Sequence, residues 1–155
     1  MASVHFRAGV VIAIRHPHTH EVLAFQRADT PDTWQLPQGG MKAGEEPLEA
    51  AWRELLEETG LGGVEVEFVG EHPEWLVYQW PQEVQRAKGG IHHRIGQAQR
   101  WFTFHARSGD ILPTPDGSEF VAWKWVTAEW LIDHVPAWRR PPYQIVLGQH
   151  PVPGA

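Results

Sequence analysis

The chain contains no cysteine. Disulfides and thiolate metal sites are thereby excluded, and nothing points to an oxidising, secreted setting. Long apolar runs are missing as well, since no stretch approaches the ~20 residues a membrane-spanning helix needs. The apolar run Val10-Val11-Ile12-Ala13-Ile14 is flanked closely by Arg7 and Arg15, and no cleavage-like segment follows it. It reads as a buried strand, not as a targeting segment. Internal repeats and low-complexity linkers are absent, so the 155 residues are expected to form one domain spanning 1–155. A cytoplasmic location is expected, with no membrane contact and no obligate protein partner. Acidic residues are lacking between Val84 and Gly109, where Arg86, Lys88, Arg94, Arg100 and Arg107 lie. They crowd instead between Glu45 and Glu74. The formal net charge of −6 excludes a generic polyanion binder.

Tryptophan, by contrast, is abundant, with nine copies, as expected where aromatic side chains fill a core and line a sheet. The apolar patterning predicts strands at His5–Ile14, Val22–Arg27 and Thr33–Pro37, the last running into Gly39-Gly40. Further strands are predicted at Val64–Val69, Trp75–Trp80, Gly96–Ala106 and Phe120–Val126. A long loop is expected from Pro81 to Ile91. Short helices are expected near Ala128–Val135 and Tyr143–Gly148, split by Pro136, Pro141 and Pro142. One central helix among strands, with helices at the end, implies a mixed sheet covered on both faces.

The informative segment is Gly39–Leu61, GGMKAGEEPLEAAWRELLEETGL. Pro47 suits the first helical turn, where its missing N–H costs nothing. Glu46 is then the N-cap, with Glu49 three residues on as in a capping box, and Gly60 ends the helix. Wound at about 100° per residue, Leu48, Trp52, Leu55 and Thr59 share one face, with Leu56 beside them. Arg53, Glu54, Glu57 and Glu58 fall opposite. Ala50 and Ala51 are expected on that side too, leaving room for a ligand. An acidic face is usually solvated decoration, yet this one is costly. Glu54 and Glu58 are like charges at i,i+4, and Glu57 and Glu58 lie near the helix C-terminus, the wrong end of its dipole. A divalent cation removes both objections, and hard carboxylate oxygens suit Mg²⁺ or Mn²⁺. Arg53 can pair with Glu57 and hold it in one rotamer.

Gly39, Glu45 and the run Arg53-Glu54-Leu55-Leu56-Glu57-Glu58-Thr59-Gly60-Leu61 together resemble the Nudix box at every position the box fixes. The resemblance implies the Nudix fold, an α/β/α sandwich. It also implies hydrolysis of a nucleoside diphosphate linked to another group. Glu54, Glu57 and Glu58 stand where the family's box glutamates hold Mg²⁺ or Mn²⁺, and the Gly39 carbonyl commonly joins them. Glu45 is expected to tie the loop to the helix. Which of Glu54, Glu57 and Glu119 takes the proton of the attacking water stays open; Glu57 is favoured, with Arg53 supporting it.

The resemblance extends further. Trp34-Gln35-Leu36-Pro37-Gln38-Gly39-Gly40, Trp75-Leu76-x-Tyr78, Gly96-Gln97-x-Gln99-x-Trp101-Phe102 and Glu119-Phe120-x-x-Trp123-x-Trp125-Val126 look like the bacterial RNA 5′-pyrophosphohydrolases and the related asymmetric diadenosine polyphosphate hydrolases. That subgroup makes Glu119 a candidate metal ligand or proton acceptor, and Tyr78 and Gln97 candidate substrate contacts. A polyphosphate also needs cations along its length, which Arg7, Arg27 and the acid-free stretch can supply. Gly89-Gly90 is expected to let that stretch move over substrate, and His92 and His93 to face solvent or phosphate. The overall acidity argues against long RNA, which is held largely through phosphates, and leaves dinucleoside polyphosphates in place. The alternatives are a housecleaning (d)NTP pyrophosphohydrolase and a non-catalytic nucleotide-binding Nudix domain.

Overall fold

The run of buried residues in the first strand is the axis on which the chain is assembled. In the computed structural model, residues 6–89 and 94–148 are described. Strand β1 (Phe6–Arg15) has Val10 to Ile14 fully buried. A strand that is apolar at successive positions must be covered on both faces, and this one is. Val10, Ile12 and Ile14 face one core with Leu23, Phe25 and Phe104, while Val11 and Ala13 face the other with Val22, Leu36 and Trp101.

The remaining strands are β2 (Val22–Arg27), β3 (Trp34–Gln35), β4 (Gln38–Gly40), β5 (Val66–Glu71), β6 (Leu76–Gln79), β7 (Gly96–Ala106) and β8 (Phe120–Val126). They form one mixed sheet whose main path runs β3-β2-β1-β7-β5. Strand β4 joins β1, β6 joins β7, and β8 joins β2. The β1–β7 pairing is parallel, from Phe6 opposite Gly96 to Arg15 opposite His105. Helix α1 (Pro47–Thr59) covers the first face through Ala50, Ala51 and Leu55. Trp52 adds an edge-on contact with Phe104, 4.8 Å between ring centres. The other face is covered by α3 (Ala128–His134) and α4 (Arg140–Leu147), through Leu131, Tyr143 and Leu147. This is the expected α/β/α sandwich.

Three expectations are corrected. The segment after Pro81 is helix α2 (Gln82–Gly89), not a loop. The Gln85 N–H donates to the Pro81 carbonyl at 2.9 Å, and the Gln85 side chain to the Trp80 carbonyl at 2.7 Å. Its residues are good helix formers without an apolar stripe, so periodicity alone misses it. Pro141 and Pro142 do not hold α4 off until Tyr143; they sit in its first turn, where proline is tolerated. On α1, Leu56 is 60% exposed, whereas Ala50 and Ala51 are fully buried. The two alanines bring the helix close to the sheet instead of lining a ligand space. Gly90, His92 and His93 lie outside the described residues.

Candidate active site

The ends of α1 follow the local signals. Pro47 opens the helix, the Glu46 N–H donates to Glu49 Oε1 at 3.2 Å, and Gly60 closes it in the left-handed region at φ 71. What surrounds the helix is set by β4, which runs along β1 with Gly39 opposite Val10 and Gln38 opposite Val11. This brings the Gln38–Gly40 backbone against the side chains of α1. A Cβ on Gly39 would lie 2.0 Å from the Glu54 carboxyl carbon, so only glycine lets that carboxylate rest on the strand. A Cβ on Gly40 would fall 2.5 Å from Arg7 Nη2, so the guanidinium approaches the next peptide in the same way.

Glu54 and Glu58, expected to face outward, are only 9% and 4% exposed. The Gln38 N–H donates to Glu58 Oε2 at 3.2 Å. Burial, then the charge of Glu119, then that of Glu54, push the Glu58 carboxyl far above the usual carboxylate range, and Glu58 and Glu119 share a side-chain hydrogen bond. Burial disfavours the charged form of an acid, and nearby carboxylates disfavour it further. Gly39, Glu54, Glu58 and Glu119 are thus brought together. Glu57 stands apart from this group. Its side chain is 54% exposed, and it meets Arg53 Nη1 at 3.3 Å.

Arg53 does more than pair with Glu57. It contacts Glu45 at 2.7 and 2.9 Å, Glu54 at 2.7 Å and the Gly40 carbonyl at 2.9 Å. The hydrogen bonds to Arg53 and from the Lys42 N–H hold the Glu45 carboxyl at about 2. Glu45 therefore ties the loop to the helix, as expected. The donors gathered here are carboxylate and carbonyl oxygens, the chemistry that suits Mg²⁺ or Mn²⁺. Their charge is unbalanced around Glu58, which a cation would correct. As they stand, no three acidic or imidazole side chains among the described residues converge on one point. Arg53 engages Glu54 and Glu57 instead.

Beside Glu54 opens a cleft of about 510 Å³, lined by Arg7, Lys42, Arg53 and Arg94 together with Phe6 and Met41. Arg7, expected as a phosphate contact, lines this cleft; Lys42, which lines it too, was not singled out from the sequence. Arg27 lies elsewhere, paired to Asp29 at 2.8 Å and bonded to Gln35 at 3.0 Å. With Trp138 and Arg139 it lines a second cavity of about 280 Å³. The charge of Glu119 still reaches Arg27. Tyr78 offers no open face for a base: it is 6% exposed, with its ring 5.7 Å from that of Trp138. Its hydroxyl accepts from Gln97 at 2.9 Å, and Gln97 is itself buried. The two side chains are bonded to each other and largely closed to solvent, which sequence spacing alone does not show.

A family model described as NUDIX domain matches residues 5–146. The chain is 38% identical to Nudix hydrolase 27, chloroplastic, of Arabidopsis thaliana, covering 94% of this chain and 66% of that protein. It is 37% identical to an RNA pyrophosphohydrolase of Rhodospirillum rubrum, covering 96% of this chain and 88% of that protein. Among solved structures, the dihydroneopterin triphosphate pyrophosphohydrolase of E. coli is similar in fold. Its TM-score is 0.73 at 21% identity, over 92% of this chain and 97% of that one.

Proposed function

The chain belongs to the Nudix hydrolase family, and we propose that it cuts a phosphoanhydride bond in a nucleoside polyphosphate, either a dinucleoside polyphosphate or the 5′-triphosphate end of RNA. Both substrates carry a polyphosphate on a nucleoside 5′ oxygen. The observation that carries the reading is the carboxylate group of buried Glu54 and Glu58 with half-buried Glu119 against Gly39, opening beside the basic cleft of Arg7, Lys42, Arg53 and Arg94. Likeness to the RNA pyrophosphohydrolase of Rhodospirillum rubrum over nearly the whole chain supports the substrate class.

Glu54, Glu58, Glu119 and the Gly39 carbonyl would hold Mg²⁺ or Mn²⁺, with Glu57 at the edge of the same site. When bound, such an ion neutralises phosphate charge and makes water a better nucleophile near neutral pH. The chain's own residues supply the rest. Arg7, Lys42 and Arg94 draw the phosphates into the cleft and offset their charge. Arg53 holds Glu45, Glu54 and Glu57 in one arrangement, so the loop and the helix keep a common frame. Glu57 is open to solvent, where it takes the proton of the attacking water. No covalent intermediate on the protein is needed, since cysteine is absent and, among the described residues, no serine or histidine lines the cleft.

The net charge of −6 favours the smaller substrates, because long RNA depends on many phosphate contacts. One panel tests the proposal: kcat/KM for 5′-triphosphorylated RNA, diadenosine tetraphosphate, dNTPs and ADP-ribose. Preference for either of the first two supports it. Preference for dNTPs assigns the chain to nucleotide housecleaning, and no turnover of any of them with Mg²⁺ or Mn²⁺ removes the proposal.

A further inference from the structure

The segment between β7 and β8 is tied down where it bears on Glu119. The Thr114 N–H donates to the Thr59 carbonyl at 2.7 Å, and the Asp116 N–H to the Glu58 carbonyl at 3.1 Å. These are among the last carbonyls of α1, which have no partner within the helix. The chain then turns through Gly117 at φ 83, and the Gly117 N–H donates to the Phe120 carbonyl at 2.9 Å. Inside this turn, Asp116 Oδ1 accepts three backbone N–H groups: Ser118 at 3.2 Å, Glu119 at 2.9 Å and Phe120 at 3.1 Å. Its other oxygen accepts the Ser118 hydroxyl at 3.3 Å. On the far side, the Glu119 carbonyl accepts the Ala28 N–H at 2.9 Å.

The Glu119 backbone is therefore held from both directions. One hold comes from a loop anchored on the carbonyl of Glu58, the residue whose carboxyl meets that of Glu119. The helix that carries one carboxylate thus sets the position of the other. Asp116 is exposed, so packing does not account for its side chain. An acceptor that gathers successive N–H groups is what a turn of this kind requires.

We propose that Asp116 is a positioning residue: by gripping the N–H groups of residues 118–120 it keeps Glu119 in the carboxylate group and sets the affinity of the site for a divalent cation. The inference rests on the reading of that group as a cation site. Residues that orient a ligand without touching the ion typically contribute about 10- to 100-fold in affinity or activity.

The test is a Mn²⁺ titration of the metal-free protein, followed by the paramagnetic resonance of free Mn²⁺, alongside kcat and KM. Asp116→Ala is expected to weaken Mn²⁺ binding and lower kcat by about tenfold, with KM changed less. Asp116→Asn keeps the acceptor oxygen and is expected to stay near wild type. The double variant Asp116→Ala, Glu119→Ala is expected to bind no more weakly than Glu119→Ala alone, because Asp116 acts through Glu119. Gly117→Ala strains the left-handed turn without removing a charge and should weaken binding in the same direction; it serves where Asp116→Ala fails to fold. Wild-type Mn²⁺ binding in both turn variants, or fully additive losses in the double variant, would overturn the role of Asp116 while Glu119→Ala still shows its own loss. Wild-type binding in Glu119→Ala would overturn this inference and the place of Glu119 in the cation site together.

Discussion

Glu57 and Glu58 are adjacent on α1 and have the same side chain, yet they occupy different environments. Glu58 points under β4, is 4% exposed and is pressed toward its protonated form by burial and by its neighbours. Glu57 stands one helical step away, 54% exposed, with Arg53 as its contact. Identical groups a single residue apart are thus suited to different tasks. The buried one can offer oxygens to an ion and has little access to bulk water; the open one can exchange protons with solvent.

The strongest way to break this contrast is to remove what would unite the two. Chelation with EDTA is expected to abolish turnover, restored by Mg²⁺ or Mn²⁺; undiminished hydrolysis in a metal-free sample would remove the cation from the mechanism. Next comes Glu57→Gln, expected to lower kcat by on the order of a hundredfold or more, because a base or ligand acts on the transition state. Its melting temperature should stay close to wild type, since the side chain is open to water. Near-normal kcat would show that the exposed glutamate is idle.

Glu58→Gln sharpens the contrast from the side of stability. The folded chain raises the proton affinity of Glu58, so between the unfolded value of about 4.3 and the higher folded value the native state holds a proton that the unfolded state has lost. That contribution is complete below the unfolded value and fades as pH rises through the folded one. In metal-free protein at pH 8, the amide should therefore raise the melting temperature, by ~2–4 °C for each kcal/mol recovered. At pH 4 the gain should vanish. Added Mg²⁺ should then stabilise wild type more than the variant. A variant that melts lower at pH 8 would show that the buried carboxyl is not under charge strain.

The smallest effect is expected along the basic stretch. Replacing Arg86, Lys88 and Arg94 together by alanine should raise KM for the longer substrates by severalfold and for free NTPs less. The salt dependence of that KM should also flatten, by about one unit of slope for each phosphate no longer neutralised. Equal changes for every substrate would confine recognition to the cleft beside Glu54.

Helix α1 was legible because its signals are local: a proline at the start, a glycine at the end, and carboxylates at set spacing. Which of those carboxylates are buried was not, because the cover comes from β4, brought alongside by pairing with β1. The same reason hid the burial of Tyr78 and Gln97, which depends on β6 and β7 meeting α4 and Trp138. Helix α2 escaped notice because it is short, and Val84 and Ala87 alone are too few apolar residues to show a period. Asp116 gave no signal at all, since its role lies in gathering backbone groups in a turn that sequence does not reveal.

The parallel pairing of β1 with β7 has a consequence for how the chain comes into being. The strand that makes the centre of the sheet leaves the ribosome long before its partner, which begins at Gly96. Until then the apolar run Val10–Ile14 has only β2 and β4 as strand partners and α1 over one face, and one of its edges has no strand to pair with. Non-local parallel pairing is slow, and exposed strand edges invite association with other chains. Nascent chains halted before Ala106 should be found bound to chaperones or insoluble, and those that have cleared it should resist protease.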